Sequence, residues 1–167
     1  MAPALPGGST IFIDANIFIY HFSGPTPLTP SCTALLERIV NREIVGVTST
    51  TVVLEVLHRL MILEAISKFH LVPRGAVQFL KANPEKVKAL NECHLAIETV
   101  TQLGIQIAEV TQEDISEGQQ FQRQFGMLTN DALILAVMSR QRITALASND
   151  PDFQRIPHIH LHRPVPT

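Results

Sequence analysis

The chain has 167 residues, of which 46 % are hydrophobic and 17 % charged, which suits one compact domain and leaves no room for a second. Its net charge of −2 excludes a strongly basic nucleic-acid-binding domain, although basic side chains could still gather around one cleft. The two cysteines, Cys32 and Cys93, do not make a disulfide framework, and no C-x-x-C spacing is present for zinc. We therefore expect a cytoplasmic protein with reduced thiols.

The N-terminal segment predicts a tail rather than a targeting signal. Residues 1–9 are rich in proline and glycine and lack the basic and apolar regions of a signal peptide. No apolar stretch along the chain has the length of a transmembrane span, so no membrane association is expected. The sequence thus predicts a flexible tail over residues 1–9, followed by a single domain over residues 10–167.

Apolar periodicity and turn residues predict strands that alternate with helices. Thr29 and Thr129 are predicted N-caps, and Thr111 with Asp114 resembles a capping box. In chain order the predicted elements are a strand at 11–13 that runs into a helix to residue 20, a helix after residue 29, a strand at 43–47, a helix from 48–51 to about 66, helices at 77–82 and 84–103, a strand at 105–110, a polar helix from 111 to near 126, an apolar helix at 132–138, a strand at 143–148 and an edge strand at 158–162. This alternation predicts an α/β fold with a central parallel sheet of about five strands.

Four carboxylates lie at the ends of apolar segments or within them: Asp14, Glu55, Asp131 and Asp150. An acid in a segment that should be buried is unfavourable unless something pairs with it. In a parallel α/β protein, strand C-termini and helix N-termini meet at one edge of the sheet, where ligands bind. The four acids could therefore converge at that edge.

Each acid also has a structural explanation. Asp14 could form an Asx turn where a strand ends, and Asp131 would meet the macrodipole in the first turn of a helix. Asp150 precedes a proline and could be an N-cap, while Glu55 could pair with a buried arginine.

The joint pattern nevertheless favours a metal site. Two like charges about 4 Å apart repel by roughly 4 kcal/mol at an effective dielectric of about 20, so four acids gather only with a cation or with raised pKa values. Mg²⁺ and Mn²⁺ prefer hard oxygen ligands. Such ions can activate water and stabilise the leaving oxygen of a phosphodiester.

Other constellations have weaker support. His158, His160 and His162 would share one face of a strand and could bind a transition metal, but an exposed polar edge is the simpler interpretation. Glu55 and His58 have the E-x-x-H spacing of di-iron bundles, but the second copy is absent. No phosphate-binding glycine loop or serine-hydrolase motif is present.

At this point the sequence resembles the PIN-domain family, and within it the VapC-type toxins of toxin–antitoxin pairs. The resemblance runs from about residue 10 to 163, and the order and spacing of the acids agree with it. The matching stretches are 11–16, 48–55, 128–136 and 146–153.

The resemblance implies a three-layer α/β/α fold and Mg²⁺- or Mn²⁺-dependent endoribonuclease activity. It implies that the metal-binding, catalytic quartet is Asp14, Glu55, Asp131 and Asp150. It further implies that the residues supporting these acids or positioning the substrate are Asn16, Ser148 and Asp152. It implies RNA as the substrate, a homodimer and an inhibitory antitoxin as partner, although the helical region at 62–103 is somewhat extended for the simplest toxins.

Two alternatives stay open from the sequence alone. One is a PIN-like module that binds RNA or a protein without cutting, and the other is cleavage of DNA by the same acids. A hydrophobic surface on the helices after Thr29 and Thr51 is a candidate dimer interface. Candidates to neutralise flanking phosphates are Arg42, Arg59, Lys68 and Arg74.

Overall fold

The computed structural model describes residues 5–166 and contains a five-stranded parallel sheet in the order β3-β2-β1-β4-β5, with helices on its faces. This confirms the predicted three-layer α/β/α architecture. The strands are β1 Thr10–Ile13, β2 Val45–Ser49, β3 Gln106–Ala108, β4 Ala145–Ala147 and β5 His160–His162. The helices are α1 Ala15–Phe22, α2 Thr29–Val40, α3 Thr50–Phe69, α4 Ala76–Ala82, α5 Pro84–Val87, α6 Glu92–Gln102, α7 Gln112–Phe125 and α8 Thr129–Gln141.

The central strand β1 organises the sheet. Phe12 pairs with Val47 of β2 on one side and with Leu146 of β4 on the other. Ile11, Phe12 and Ile13 are all completely buried, as expected for a strand covered by helices on both faces. The carboxyl ends of β1, β2 and β4 therefore lie side by side at one edge of the sheet.

The predicted apolar helix is the most buried one. In α8 the residues Ile134 to Met138 are all buried, and α7 packs along it. The predicted capping box is also confirmed, because Thr111 and Asp114 exchange hydrogen bonds at the start of α7. The left-handed Gly126 (φ 65°) ends that helix, as its position in the sequence predicted.

Three predictions about helix ends are wrong. Thr29 lies inside α2 rather than capping it, and its hydroxyl donates to the backbone carbonyls of Tyr20 and Gly24. Thr129 likewise lies inside α8, whose N-cap is Leu128. The single helix predicted over 84–103 is two helices, α5 and α6, because residues 88–91 break it.

The break before α6 has a tertiary cause. The carboxylate of Glu64 on α3 is only 7 % exposed and accepts hydrogen bonds from the backbone N–H groups of Asn91 and Cys93, at 2.8 and 3.0 Å. These N–H groups belong to the first turn of α6, where no intrahelical acceptor exists for them. A side chain from α3 therefore fixes where α6 begins.

Both ends of the described chain make contacts with the domain. Leu5 accepts a hydrogen bond from Arg38 through its carbonyl, and Gly8 donates to the carbonyl of Glu43. Residues 1–4 and 167 lie outside the described part, so the tail over residues 1–9 stays a prediction. Among residues 5–166, no helix combines the length and the apolar character needed to span a bilayer.

The two thiols are buried and free, as the sequence predicted for reduced cysteines. Burial raises the pKa of Cys32 to about 11 and also raises the pKa of Cys93. Neither side chain has the thiolate character of a reactive cysteine.

Candidate active site

The structure places all four predicted acids at the carboxyl edge of the sheet. Asp14 directly follows β1, and Asp150 follows β4. Glu55 lies in the second turn of α3, which starts where β2 ends, and Asp131 lies in the first turn of α8. Four separate elements thus contribute one carboxylate each.

Asp14 is held by a dense set of hydrogen bonds. Its Oδ1 accepts from the backbone N–H of Ala15 at 2.6 Å, and its Oδ2 accepts from the Ser148 hydroxyl at 2.6 Å. The amide of Asn16 donates to the same Oδ2 and to Ser148 Oγ. Ser148 Oγ in turn accepts from the backbone N–H of Asp150 at 3.0 Å. These contacts join the ends of β1 and β4 and fix the direction of the Asp14 carboxylate.

A further layer of polar contacts stands behind this network. The backbone N–H of Asn149 donates to Asn16 Oδ1 at 3.0 Å, and its side-chain amide donates to the Tyr20 hydroxyl at 3.1 Å. Arg163 Nη2 donates to the carbonyl and to Oδ1 of Asn149, at 3.2 and 3.0 Å. The end of β4 is therefore tied both to α1 and to the segment after β5.

Within residues 5–166, no cationic side chain pairs with the Asp14 carboxylate. Burial raises the pKa of Asp14 to about 6. Hydrogen bonds from Ser148 and Ala15 act in the opposite direction and lower it. The negative charges of Glu55 and Asp150 then raise it again, so these carboxylates are close enough to repel Asp14.

Asp131 shares this environment although it is only half-buried. Burial raises its pKa to about 6, and the surrounding carboxylates add to the rise, in decreasing order Asp150, Asp14, Asp152 and Glu55. The acids of the other three elements therefore contribute to the electrostatic environment of Asp131. Perturbed carboxylates of this kind are concentrated at functional sites.

The less buried acids are positioned by neighbouring polar groups. Asn130 donates from Nδ2 to Glu55 Oε2 at 3.1 Å and so links α8 to α3. Arg155 forms an ion pair with Asp152 at 3.0 Å and also donates to the carbonyl of Gly126. The segments that carry Asp131 and Asp150 are connected through this arginine.

Three of the acids also have the structural roles that the sequence suggested, in addition to lying at the carboxyl edge of the sheet. Asp14 caps α1, and Asp150 caps the short 3-10 helix Pro151–Arg155 with proline at its first position. Asp131 lies in the first turn of α8 as expected. The proposed pairing of Glu55 with a buried arginine is wrong, because its partner is Asn130.

The model of the PIN domain matches residues 11–159 of the chain, which includes all four acids. This chain belongs to the PIN-domain family. Ribonuclease VapC2 of Methanocaldococcus jannaschii is 29 % identical to it over 153 residues, covering 90 % of this chain and 91 % of that protein. The chain is thus a PIN domain homologous to a VapC-type ribonuclease.

Solved structures support the same fold at lower identity. The chain of a toxin–antitoxin complex from Klebsiella pneumoniae superposes with a TM-score of 0.59 at 19 % identity, covering 94 % of this PIN domain and 99 % of that chain. VapC20 of Mycobacterium tuberculosis, a sarcin–ricin loop cleaving toxin, gives a TM-score of 0.61 at 15 % identity, with 86 % and 92 % covered. At these identities the likeness concerns the fold alone.

The donor set of this PIN domain fits a hard divalent cation by chemistry and charge. The raised pKa values of Asp14 and Asp131 reflect burial first and the charges of neighbouring carboxylates second, and carboxylate oxygens are the ligands that Mg²⁺ and Mn²⁺ prefer. Within residues 5–166, no group of three or more His, Cys, Asp or Glu has the spacing of a preformed metal site. Mg²⁺ commonly takes only one or two carboxylates and keeps several waters, so its binding does not require such a group.

The competing histidine site does not form among the described residues. His158 lies in the turn before β5 with a φ of 70°, so only His160 and His162 share the strand. No metal-ligating group that includes them is present there. His160 and His162 are polar residues of an edge strand, in agreement with the simpler interpretation of the sequence.

Sequence reasoning missed several residues around the acids: Tyr20, Asn130, Asn149, Arg155 and Arg163. Asn130 and Asn149 each directly precede one of the acids, and this adjacency was a usable signal. Arg155 pairs with Asp152 three residues before it, whereas Tyr20 and Arg163 come next to Asn149 only through the tertiary fold.

The basic candidates were mostly misplaced. Arg42 lies in the turn before β2, at the opposite edge of the sheet. Lys68 donates to the carbonyl of Ala89, and it lies about 20 Å along α3 from Glu55 at 1.5 Å per residue. Arg74 follows beyond the end of α3, so Arg59, one turn from Glu55, is the candidate that stays near the acids.

Proposed function

We propose that this PIN domain is an Mg²⁺- or Mn²⁺-dependent endoribonuclease whose catalytic groups are Asp14, Glu55, Asp131 and Asp150. The observation that carries the proposal is the placement of these carboxylates, contributed by four elements of the fold, at the carboxyl edge of the sheet. A cluster without a counter-ion costs stability, and a pure binding module gains nothing from it. The homology to a VapC-type ribonuclease supports RNA as the substrate class.

In this proposal the residues of the chain hold the ion and orient the scissile phosphate. A bound divalent ion would supply a Lewis acid for the phosphodiester and lower the pKa of a water molecule. The four acids would hold the ion directly or through water. Ser148 and Asn16 keep the Asp14 carboxylate in one orientation through hydrogen bonds to its Oδ2, and supporting groups of this kind tune ligand affinity. Asp152, placed by Arg155, would help to position the substrate.

The partner proposals follow from the relatives. Besides the toxin–antitoxin complex from Klebsiella pneumoniae, two of the similar solved structures are VapBC complexes, from Rickettsia felis and Salmonella typhimurium, with TM-scores of 0.55 and 0.57. We infer that an antitoxin protein binds this chain and inhibits its cleavage of RNA.

We also propose a homodimer formed by α2 and α3, which leave Val40, Leu54 and Leu63 exposed. A monomer in light scattering at high protein concentration would remove the dimer proposal.

The test is cleavage of a mixed pool of structured RNAs by the purified protein with Mn²⁺ or with EDTA. Asp14→Asn and Glu55→Gln are expected to lose about 10³-fold in rate, the equivalent of several kcal/mol of transition-state stabilisation. Glu98→Gln is the matched control, because Glu98 is exposed on α6 and far along the chain from every acid of the site. Its rate should equal that of the unmodified protein.

Three outcomes would overturn the assignment in different ways. Cleavage that persists in EDTA, or in Asp14→Asn, would remove the acids from the catalytic role. RNA binding without any cleavage would make the chain a binding module. Equal cleavage of single-stranded DNA would show that the site does not distinguish the 2′-hydroxyl, and RNA would no longer be the assigned substrate class.

A further inference from the structure

Two cavities lie beside the edge strand β5. One, of about 240 Å³, is lined by Arg38, His162 and Arg163 among others. The second, of about 390 Å³, is lined by Arg142, His160 and His162. His162 lines both cavities, so they adjoin at this side chain, and we name the two together the β5 groove.

The β5 groove is positively charged. In the described part of the chain, no carboxylate lines either cavity. The pKa of His162 is lowered by burial and then by the positive charges of His160 and Arg38, which favours its neutral form, so the charge of the groove comes from its arginines. Glu43 neutralises Arg38 in part through an ion pair at 3.2 Å, whereas Arg142 and Arg163 have no carboxylate partner among residues 5–166.

One end of the β5 groove reaches the acidic site. Arg163 Nη2 donates two hydrogen bonds to Asn149, and Asn149 directly precedes Asp150. The other end lies at Arg142, where α8 ends and the chain enters β4 at the opposite edge of the sheet. The β5 groove therefore extends along β5, from the side of the acids towards the edge of the sheet where the strands begin.

We propose that the β5 groove binds the sugar–phosphate backbone of a single RNA strand whose scissile phosphate lies at the four acids. The proposal rests on the proposed nuclease function and adds the path of the substrate. Clustered carboxylates repel phosphates, so the flanking nucleotides need a region of positive charge on which to continue. A positive groove with ring side chains is the arrangement that single-stranded nucleic acids follow, and imidazoles are among the rings on which RNA bases stack.

A plainer explanation exists for charged residues on β5. Edge strands often carry charges that prevent pairing with the edge of another sheet. That explanation requires charge on the strand but does not require Arg38, Arg142 and Arg163, which lie outside β5, to line two adjoining cavities beside it. The two explanations differ in what substitutions in the groove would do to RNA binding.

The decisive variant is Arg142→Gln combined with His160→Gln, because both residues line the groove and neither touches the acids. Arg123→Gln with His94→Gln is the matched control, since both residues are exposed and lie on α7 and α6. Fluorescence anisotropy of a labelled single-stranded RNA in EDTA, repeated at several salt concentrations, measures binding independently of cleavage. The groove variant should bind more weakly, and its slope of log K against log salt should be shallower by about 0.7 for each phosphate that the protein no longer neutralises.

In the cleavage assay with Mn²⁺, the groove variant should raise KM and leave kcat within about twofold of the unmodified protein, as expected when uniform binding is weakened. An unchanged affinity for RNA and an unchanged salt slope in the groove variant would overturn the proposal. If that variant also self-associates, the charges serve to prevent β5 from pairing with the edge of another sheet. Weakened binding of polyglutamate with unchanged RNA binding would instead indicate an acidic protein partner. If the unmodified protein binds RNA through the groove but never cuts it, the nuclease proposal fails while the groove assignment stands.

Discussion

Two buried aspartates of this protein have opposite electrostatic surroundings. Asp14 is 7 % exposed, and its pKa is raised to about 6 because burial and neighbouring acids outweigh its hydrogen bonds. Asp114 is 1 % exposed, and burial alone would raise its pKa as well. Its pKa is nevertheless lowered, because Arg140 and Thr111 donate hydrogen bonds to the carboxylate.

The difference separates a structural acid from a functional one. Arg140 forms a two-pronged ion pair with Asp114, at 2.8 and 3.0 Å, and also donates to the carbonyl of Glu109. The fold has thus placed a cation beside the acid that serves packing alone. At Asp14 it supplies only neutral donors, which orient the carboxylate without neutralising it, and the missing positive charge is left for a ligand.

Removing the structural acid should give the largest loss of stability. Asp114→Ala leaves Arg140 without its buried partner and also removes the capping box of α7, so we expect about 4 kcal/mol of destabilisation. Urea denaturation measures this loss. Glu113→Ala, in the same helical turn but exposed, should change the free energy of unfolding by no more than about 0.5 kcal/mol. Equal losses in both variants would mean that the ion pair is not the cause.

The pH dependence of stability should distinguish the two aspartates. Asp14 has a raised pKa in the folded state, so its protonated carboxyl stabilises the fold at low pH. The metal-free protein should lose about 3 kcal/mol of this stabilisation as pH rises from about 4 to about 6. Asp114 has a lowered pKa, so its contribution is present above its unfolded pKa and is lost as pH falls.

The measurement is urea denaturation in EDTA between pH 4 and pH 7.5, for the unmodified protein and for Asp14→Asn. The difference in unfolding free energy between the two proteins should shift in favour of Asp14→Asn as pH rises. A difference that stays constant with pH would show that Asp14 is ionised at its ordinary pKa. Repeating the series with Mn²⁺ should flatten the dependence, because a bound cation favours the ionised carboxylate.

The smallest expected effect concerns the outer layer of the polar network. Tyr20→Phe removes the hydroxyl that accepts from Asn149, and one neutral hydrogen bond is worth about 1 kcal/mol. We expect that loss in thermal or urea denaturation, together with a fall in kcat of less than about tenfold. His21→Phe, on the next residue of α1, is a comparison variant that leaves the network intact. A fall in kcat that the lost unfolding free energy does not account for, seen in Tyr20→Phe and not in His21→Phe, would identify Tyr20 as a positioning residue.

The sequence was sufficient where the determinants are local. The capping box of Thr111 and Asp114, the glycine that ends α7 and the buried run of β1 were all predicted from neighbouring residues. The placement of the four acids at one edge of the sheet was predicted as well, because the carboxyl ends of parallel strands meet there.

Predictions failed where a contact with a distant part of the chain determines the local structure. Thr29 had the sequence of a cap, but its hydroxyl is taken by carbonyls of the preceding segment. The helix predicted over 84–103 is divided because Glu64, from α3, captures the N–H groups at the start of α6. Arg163 could not be predicted for the same reason, since its hydrogen bonds to Asn149 depend on β5 lying beside β4.

The hydrogen bond between Ser148 and Asp14 joins residues that are 134 positions apart. Contacts of such high sequence separation form late, because a long loop must close before they contribute to stability. During synthesis, a chain that has emerged only as far as α7 contains Asp14 and Glu55 but neither β4 nor Asp131. The proposed nuclease site is therefore incomplete on the ribosome until the segment from Asp131 to Asp150 has been synthesised and has folded against β1.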